Sequence, residues 1–166
     1  MNNRILICSG GTGGHVLPAV NFGNFLINQG FECYLILDHR GKKFSKKFKG
    51  KTFVIKSSHL SGNIFFKIIS IIKLILGFFQ SLFILFKIKP NLSFSFGSYA
   101  TFMPLAVIVI CKFFFKIKLY IHEQNSVIGK VNLFFLPFTK TLFTNFNYIT
   151  NLPKKYENKK IQVGLP

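Results

Sequence analysis

The chain has 166 residues, of which 49% are hydrophobic, so it is long and apolar enough to fold around a core rather than stay disordered. Its formal net charge is +18 with only four acidic residues, which favours an anionic partner. It shows no helix-turn-helix, zinc spacing or RNA-binding signature, which argues against nucleic acid. The lysines instead cluster around long apolar stretches, which points to a membrane surface.

Strand-like and helix-like segments alternate along the chain. Predicted strands cover about residues 4–8, 32–37, 52–55, 92–95 and 118–121, with short ones at 141–144 and 162–163. Predicted helices cover about residues 17–29, 64–87 and 101–115, with short segments within 38–51 and 130–136, and an exposed loop at 154–160. The strands are apolar on both sides, so we predict a Rossmann-like α/β fold, a parallel sheet with helices on both faces.

The first strand runs into the glycine-rich turn Ser9-Gly10-Gly11-Thr12-Gly13-Gly14-His15. Glycines leave backbone N–H groups uncovered, and the following helix adds a positive dipole end, so this turn suits a phosphate or diphosphate. His15 lies at its mouth, where a general base is useful. The pattern is neither a Walker A loop nor a dinucleotide fingerprint. The alternative is a tight turn whose glycines serve packing alone.

Cys8, Cys33 and Cys111 are widely spaced, and each lies in or beside an apolar run. We therefore predict buried free thiols in a reducing compartment and no metal site. The first residues show no signal-peptide pattern. We expect the protein in the cytosol or on the cytoplasmic face of the cell membrane, bound peripherally.

The apolar helix predicted at residues 64–87 admits three interpretations: a membrane-surface patch, an ordinary core helix or a membrane span. A helical wheel places its polar and small residues on one arc that we expect to be wet: Lys67, Ser70, Lys73, Gly77, Gln80, Ser81 and Lys87. Apolar residues share that arc, and Phe66, Lys67, Lys73 and Leu74 form the candidate membrane patch, with Ile84 beside them. Charges within the helix argue against a span.

Two further polar motifs follow predicted strands. Phe96-Gly97-Ser98-Tyr99 follows the fourth, and His122-Glu123-Gln124-Asn125 follows the fifth. Ligands of parallel α/β sheets bind beyond the carboxyl ends of the strands, so we expect all three motifs to meet at one edge. A structural role, in which His122 bonds backbone, is the main alternative for that residue. For Glu123 the sequence leaves two roles open: a catalytic acid or base, or a partner for a nearby cation. Asp38 matches the position of a ribose-binding acid, and His39 and His59 are expected to face solvent.

Together these motifs resemble the N-terminal domain of glycosyltransferase family 28, in the branch that adds N-acetylglucosamine to lipid I. The resemblance covers essentially the whole chain. It rests on residues 10–15 with Pro18-Ala19, residues 96–99 with Pro104, residues 122–125, and the final Val163-Gly164-Leu165-Pro166.

The resemblance implies an inverting, UDP-N-acetylglucosamine-dependent transferase of peptidoglycan synthesis, and hence of cell shape and division, that uses no cofactor. It implies that Thr12, Gly13 and Gly14 contact the donor or the diphosphate, that Asn125 contacts the donor sugar, and that His15 is the catalytic base. Gly10, Gly11, His122, Glu123 and Gln124 then support the site, beside the second glycine loop of Gly97, Ser98 and Tyr99. The implied partners are UDP-N-acetylglucosamine, undecaprenyl-linked lipid I and an anionic membrane.

The chain departs from the family pattern at three points. Ser98 stands in place of a second glycine, and Leu165 in place of an asparagine. The family's C-terminal, donor-binding domain is absent from these residues, so we expect residues 1–166 to form only the acceptor-binding and membrane-binding domain of a two-domain transferase. The chain is then a fragment, a frameshifted product or one half of a split enzyme with a separate donor-binding partner. The alternatives are another family 28 lipid glycosyltransferase and a non-catalytic, membrane-docking subunit that binds a lipid diphosphate.

Overall fold

The computed structural model describes residues 3–59 and 63–166. Seven parallel strands form one sheet in the order β3-β2-β1-β4-β5-β6-β7. The strands are β1 (Arg4–Cys8), β2 (Glu32–Asp38), β3 (Lys51–Ile55), β4 (Leu92–Ser95), β5 (Lys118–Glu123), β6 (Thr141–Thr144) and β7 (Lys160–Gln162). The helices are α1 (Gly13–Asn28), α2 (Ile64–Ile88), α3 (Phe102–Phe115) and α4 (Lys130–Phe135), with 3₁₀ turns at Lys42–Phe44, Tyr99–Thr101, Leu136–Phe138 and Lys154–Lys159.

Helices cover both faces of the sheet, as predicted. Alternate residues of a strand point to opposite faces. In β1, Ile5 and Ile7 pack with α1, whereas Leu6 and Cys8 pack in the core that α2 and α3 complete. The Rossmann-like α/β prediction is therefore confirmed, with a separate apolar layer on each side of the sheet.

Several predicted boundaries were wrong near the polar motifs. Helix α1 begins at Gly13, four residues earlier than predicted, because the Thr12 carbonyl accepts a hydrogen bond from the N–H of Val16 and closes the first turn (3.2 Å). Strand β5 continues through His122 and Glu123, which pair with Phe143 and Thr144 of β6. The last strand lies at Lys160–Gln162, and residues predicted as a loop before it form a 3₁₀ turn.

The three thiols are free and buried, as predicted. Burial raises the pKa of Cys8 to about 12 and that of Cys33 to about 11, so neither is a nucleophile at neutral pH.

The orientation of α2 differs from the prediction. Its small residues Ser70, Gly77 and Ser81 are buried, as is Ile84, whereas most of its phenylalanines and isoleucines face outward. The lysines predicted to be wet are exposed, together with Phe66, while Leu74 is half-buried. The predicted wet arc is therefore correct for its lysines and wrong for its small residues.

Small side chains explain this orientation. A Cβ at Gly77 would overlap the carbonyl oxygen of Lys56, so only glycine lets α2 approach the loop after β3 this closely. The Ser70 hydroxyl donates to the carbonyl of His59 (2.8 Å), and the Ser81 hydroxyl donates to the carbonyl of Gly77 (2.7 Å). The buried hydroxyls are thus satisfied, and α2 packs against the core with one side while its other side stays exposed. By length and composition α2 is also able to cross a membrane, with 28% of its most apolar window buried in the protein.

Candidate functional site

The glycine-rich turn after β1 lies against the second glycine turn. Gly11 has φ +75°, and a Cβ there would lie 2.8 Å from the Ser98 hydroxyl oxygen, so the close approach of the two turns requires glycine. Ser98 itself has φ +86°, a conformation that glycine adopts more easily than serine. The substitution noted at this position is therefore accommodated at the cost of backbone strain.

Asp38, at the end of β2, holds the first turn in place. Its carboxylate accepts hydrogen bonds from the N–H groups of Gly11 (2.8 Å) and Gly41 (3.0 Å) and from Nε of Arg40 (2.8 Å). Burial raises the pKa of this carboxyl, but the three donors outweigh burial and hold the pKa below its usual value. A carboxylate so engaged is not free for a ribose hydroxyl, so the ribose-binding interpretation was wrong.

The N-terminus of α1 is open at the same edge. Thr12 is its N-cap residue, yet within the described part of the chain no side chain caps the helix, and its first turn contains no acidic residue. Uncapped N–H groups and the helix dipole favour a bound anion. Gly13 and Gly14 lie in this first turn. Their backbone N–H groups, as well as their lack of side chains, therefore suit a phosphate.

His15 is held by two hydrogen-bond acceptors. Its Nδ1 lies 2.8 Å from the carbonyl oxygen of Phe96 and 2.9 Å from Oε1 of Gln124. Both atoms are acceptors, so Nδ1 carries the hydrogen of the neutral ring. Nε2 then keeps its lone pair, and among residues 3–59 and 63–166 no hydrogen bond reaches it. The ring is thereby oriented with its basic nitrogen available.

Gln124 connects His15 to His122. Its side-chain Nε2 donates to Nδ1 of His122 (3.2 Å) and to the His122 carbonyl (3.1 Å), while Nε2 of His122 donates to the Gly164 carbonyl (2.9 Å). His122 is thus buried and bonded to backbone, as its structural interpretation predicted. Burial lowers the pKa of His122, against smaller opposing effects of the Gly164 carbonyl and Glu123, so its ring stays neutral at neutral pH.

This lowered pKa predicts a pH dependence of stability. As pH falls below about 6.5, the unfolded state binds a proton at His122 before the folded state does, so the free energy of unfolding decreases. The contribution is fully present above that pH and is lost as pH falls through the folded pKa. We expect urea unfolding between pH 7.5 and 5 to show this decrease, and His122→Gln to remove that part of the slope. An unchanged slope in the variant would contradict the assignment.

Glu123 is a buried anchor. Its carboxylate accepts hydrogen bonds from the backbone N–H groups of Asn125 (3.1 Å) and Gly129 (2.9 Å) and from the side-chain amides of Asn125 (3.0 Å) and Asn132 (2.8 Å). All four partners are N–H donors of neutral groups. Pairing with a cation was therefore wrong, and a carboxylate this fully bonded and buried is not placed as an acid or base.

The three motifs meet at a polar cavity of about 290 Å³ at the carboxyl edge of the sheet. From the predicted site it brings together Gly11, Thr12, His15, Ser98, Tyr99, Glu123 and Asn125. Gly10 is buried, and Gly10, Gly13, Gly14 and Gly97 are not among its lining residues. His122 and Gln124 do not line it either, and Gln124 contacts His15 by a hydrogen bond. The cavity also contains Arg40, Gly129, Lys130, Val131 and Asn132, which sequence reasoning missed. Lys130 could not be singled out from the sequence, because the chain contains so many lysines. Asn132 could not be recognised because only the fold brings it into contact with Glu123.

Comparisons with known proteins identify the family and agree with the fold. The model of the glycosyltransferase family 28 N-terminal domain matches residues 5–144. The UDP-N-acetylglucosamine–N-acetylmuramyl-(pentapeptide) pyrophosphoryl-undecaprenol N-acetylglucosamine transferase of Rickettsia canadensis is 36% identical over 161 residues, and that of Rickettsia rickettsii (strain Sheila Smith) is 35% identical. These matches cover 97% of this chain but 44% and 41% of the two relatives, so the chain spans less than half their length.

Solved structures share the fold. The crystal structure of Acinetobacter baumannii MurG superposes with a TM-score of 0.79 at 22% identity, covering 98% of this chain and 46% of that one. A glycosyltransferase from Rickettsia africae superposes with a TM-score of 0.61 at 17% identity, covering 97% of this chain and 42% of that one.

Proposed function

Since this chain belongs to glycosyltransferase family 28, we propose that it is the acceptor-binding half of an enzyme that transfers N-acetylglucosamine from UDP-N-acetylglucosamine to lipid I. The relatives that it matches along 97% of its length carry that activity in their names. The observation that carries the proposal is the orientation of His15, which lines the cavity where the glycine turns meet and whose Nδ1 is held by the Phe96 carbonyl and Gln124.

The chemistry requires a positioned base, because a sugar hydroxyl is a weak nucleophile. Nε2 of His15 takes the proton of the acceptor hydroxyl as that oxygen attacks the anomeric carbon of the donor. The bond between that carbon and the diphosphate oxygen breaks at the same time, and UDP leaves with the electron pair. The Phe96 carbonyl and Gln124 keep the required tautomer and stabilise the imidazolium that forms. We assign Asn125 to the donor sugar.

The diphosphate of the acceptor suits the glycine-turn side of the cavity. Thr12, Gly13 and Gly14 offer the uncapped helix N-terminus, and Arg40 and Lys130 add positive charge at the cavity wall. Arg40 keeps its orientation through its 2.8 Å ion pair with Asp38.

The donor requires a further domain. We propose that residues 1–166 supply the acceptor site and that a C-terminal domain, like the part of the relatives that this chain does not span, supplies the UDP-sugar site. The carboxyl edge of the sheet then faces that domain. The chain by itself is expected to bind acceptor without transferring sugar.

We further propose that the outer face of α2, with the end of α3, docks on the cytoplasmic face of an anionic membrane. This face exposes large apolar residues, among them Phe65, Phe79, Phe83, Phe86, Phe113 and Phe114. Lys67, Lys73 and Lys87 are exposed on the same helix, and α2 contains no acidic residue. Apolar burial and attraction to acidic lipid act together on such a surface. Because Ser70, Gly77 and Ser81 fix α2 to the domain, we favour surface docking over a span.

The test is transfer by a two-domain protein. We expect this chain, joined to the donor-binding half of the Rickettsia canadensis relative, to move labelled N-acetylglucosamine onto lipid I in anionic vesicles. The chain alone is the control and should transfer none. A hybrid that folds and binds UDP-N-acetylglucosamine but leaves lipid I unmodified would contradict the proposal, and glycosylation of diacylglycerol instead would favour the other lipid transferases.

A further inference from the structure

A second, largely apolar groove of about 440 Å³ lies beside the polar cavity, between α2 and α4. Its apolar and aromatic walls are formed by His59, Leu74, Tyr99, Phe102, Val131 and Phe134. His59 is exposed, as the sequence predicted, and its ring centroid lies 3.7 Å from that of Tyr99. Phe102 and Phe134 have ring centroids 5.3 Å apart. Aromatic side chains that contact one another therefore form part of the groove wall.

The groove connects two surfaces already described. Tyr99, Lys130 and Val131 line both the groove and the polar cavity, so the two spaces meet at these residues. At α2 the groove is bounded by Leu74, whose neighbours Ile71 and Ile75 are on the exposed apolar face. The groove therefore lies between the polar cavity and the exposed apolar residues of α2 that belong to the proposed membrane face.

The walls suit a flexible hydrocarbon chain. Phe134 is 59% exposed and Tyr99 is 44% exposed, so apolar ring surface is available to a ligand. Among the described residues that line the groove, Lys130 is the one lysine or carboxylate-bearing residue, and it lies at the junction with the polar cavity. Apolar walls with one cation at the polar end match an amphiphile that has an anionic head and an apolar tail.

We propose that this groove binds the first isoprenoid units of the lipid-linked acceptor, next to its diphosphate. The proposal rests on the proposed function, because the diphosphate in the cavity sets where the chain begins. Lys130 contacts the diphosphate, and Leu74, Tyr99, Phe102 and Phe134 contact the isoprenoid. Acceptor recognition then includes part of the lipid as well as the sugar and phosphate.

Binding of prenyl diphosphates to the 166-residue chain tests this assignment. We expect calorimetry in detergent-free buffer to show affinity rising from inorganic diphosphate through geranyl to geranylgeranyl diphosphate. Phe134→Ser should weaken the binding of geranylgeranyl diphosphate about tenfold, or about 1.4 kcal/mol, and leave the affinity for inorganic diphosphate unchanged. Leu74→Ser, on the opposite wall, should give the same pattern and guards against a folding defect in the first variant. Phe83→Ser is the matched control, since Phe83 is 67% exposed on α2 and outside the groove.

The outcomes separate the groove from the function. Equal losses of affinity for geranylgeranyl diphosphate in Phe134→Ser and Phe83→Ser would overturn the assignment of the groove. The isoprenoid would then lie on the general apolar face. Geranylgeranyl diphosphate that binds no tighter than inorganic diphosphate would overturn the groove alone. Failure to bind any diphosphate would overturn both the groove and the proposed function.

Discussion

Replacing His15 with alanine is expected to lower kcat about 10²–10⁴-fold in the two-domain hybrid enzyme, the range that a general base contributes. The reason is the fixed tautomer: Nδ1 is occupied by the Phe96 carbonyl and Gln124, which leaves Nε2 as the proton acceptor. Affinity for inorganic diphosphate and for anionic vesicles should change little, because the helix N-terminus, Arg40 and Lys130 are assigned to the diphosphate and α2 to the vesicle surface. Steady-state transfer to lipid I measures the effect.

His39→Ala is the matched control for this variant. His39 is exposed and does not line the polar cavity, so its replacement should leave kcat unchanged. Gln124→Ala should lower kcat by less than His15→Ala and shift the pH profile, because Gln124 is a positioning residue and the Phe96 carbonyl still holds Nδ1. Wild-type kcat in His15→Ala would show that the base lies elsewhere.

Replacing Glu123 with alanine is expected to lower the free energy of unfolding by about 3 kcal/mol, since each buried donor that loses its acceptor costs about 1–3 kcal/mol. The carboxylate accepts four hydrogen bonds and joins β5 to the start of α4 through Gly129 and Asn132. This is a large fraction of the stability of a typical domain, about 5–15 kcal/mol. Urea unfolding of the 166-residue chain measures it.

Glu157→Ala provides the comparison. Glu157 pairs with Lys160 at 2.7 Å on the surface, and such exposed pairs contribute about 0–1 kcal/mol. Glu123→Gln should lie between the two, because an amide oxygen still accepts while its NH₂ group faces other donors. A loss at Glu123→Ala no greater than at Glu157→Ala would refute the structural role assigned to the buried carboxylate.

Much of the site could be predicted because its logic is local. A strand followed by a glycine-rich turn places that turn at the carboxyl edge, so the meeting of residues 9–15 and 96–99 follows from the element order. The roles of Glu123 and His122 could not be predicted this way. Their partners Asn132 and Gly164 lie 9 and 42 residues further along the chain, and only the fold brings them together.

The orientation of α2 could not be predicted for a different reason. On the helical wheel, serine and glycine lie on the same arc as the lysines. That whole arc was predicted to face solvent, because all three residue types are poorly hydrophobic. In the structure Ser70, Gly77 and Ser81 are grouped by small volume, which lets the helix approach the loop after β3. Polarity placed the lysines correctly, whereas side-chain size decided which face is buried.

The outward apolar face of α2 has a consequence for how the chain tolerates mutation. A lipid surface has no fixed shape, so a face that docks on it accepts exchanges among Phe, Ile and Leu that a close-packed core would resist. The chain contains 23 phenylalanines and no tryptophan, and five of those phenylalanines are exposed on α2. The opposite side of α2 has no such freedom, because Gly77 lies against the backbone of Lys56 and a larger side chain would overlap it.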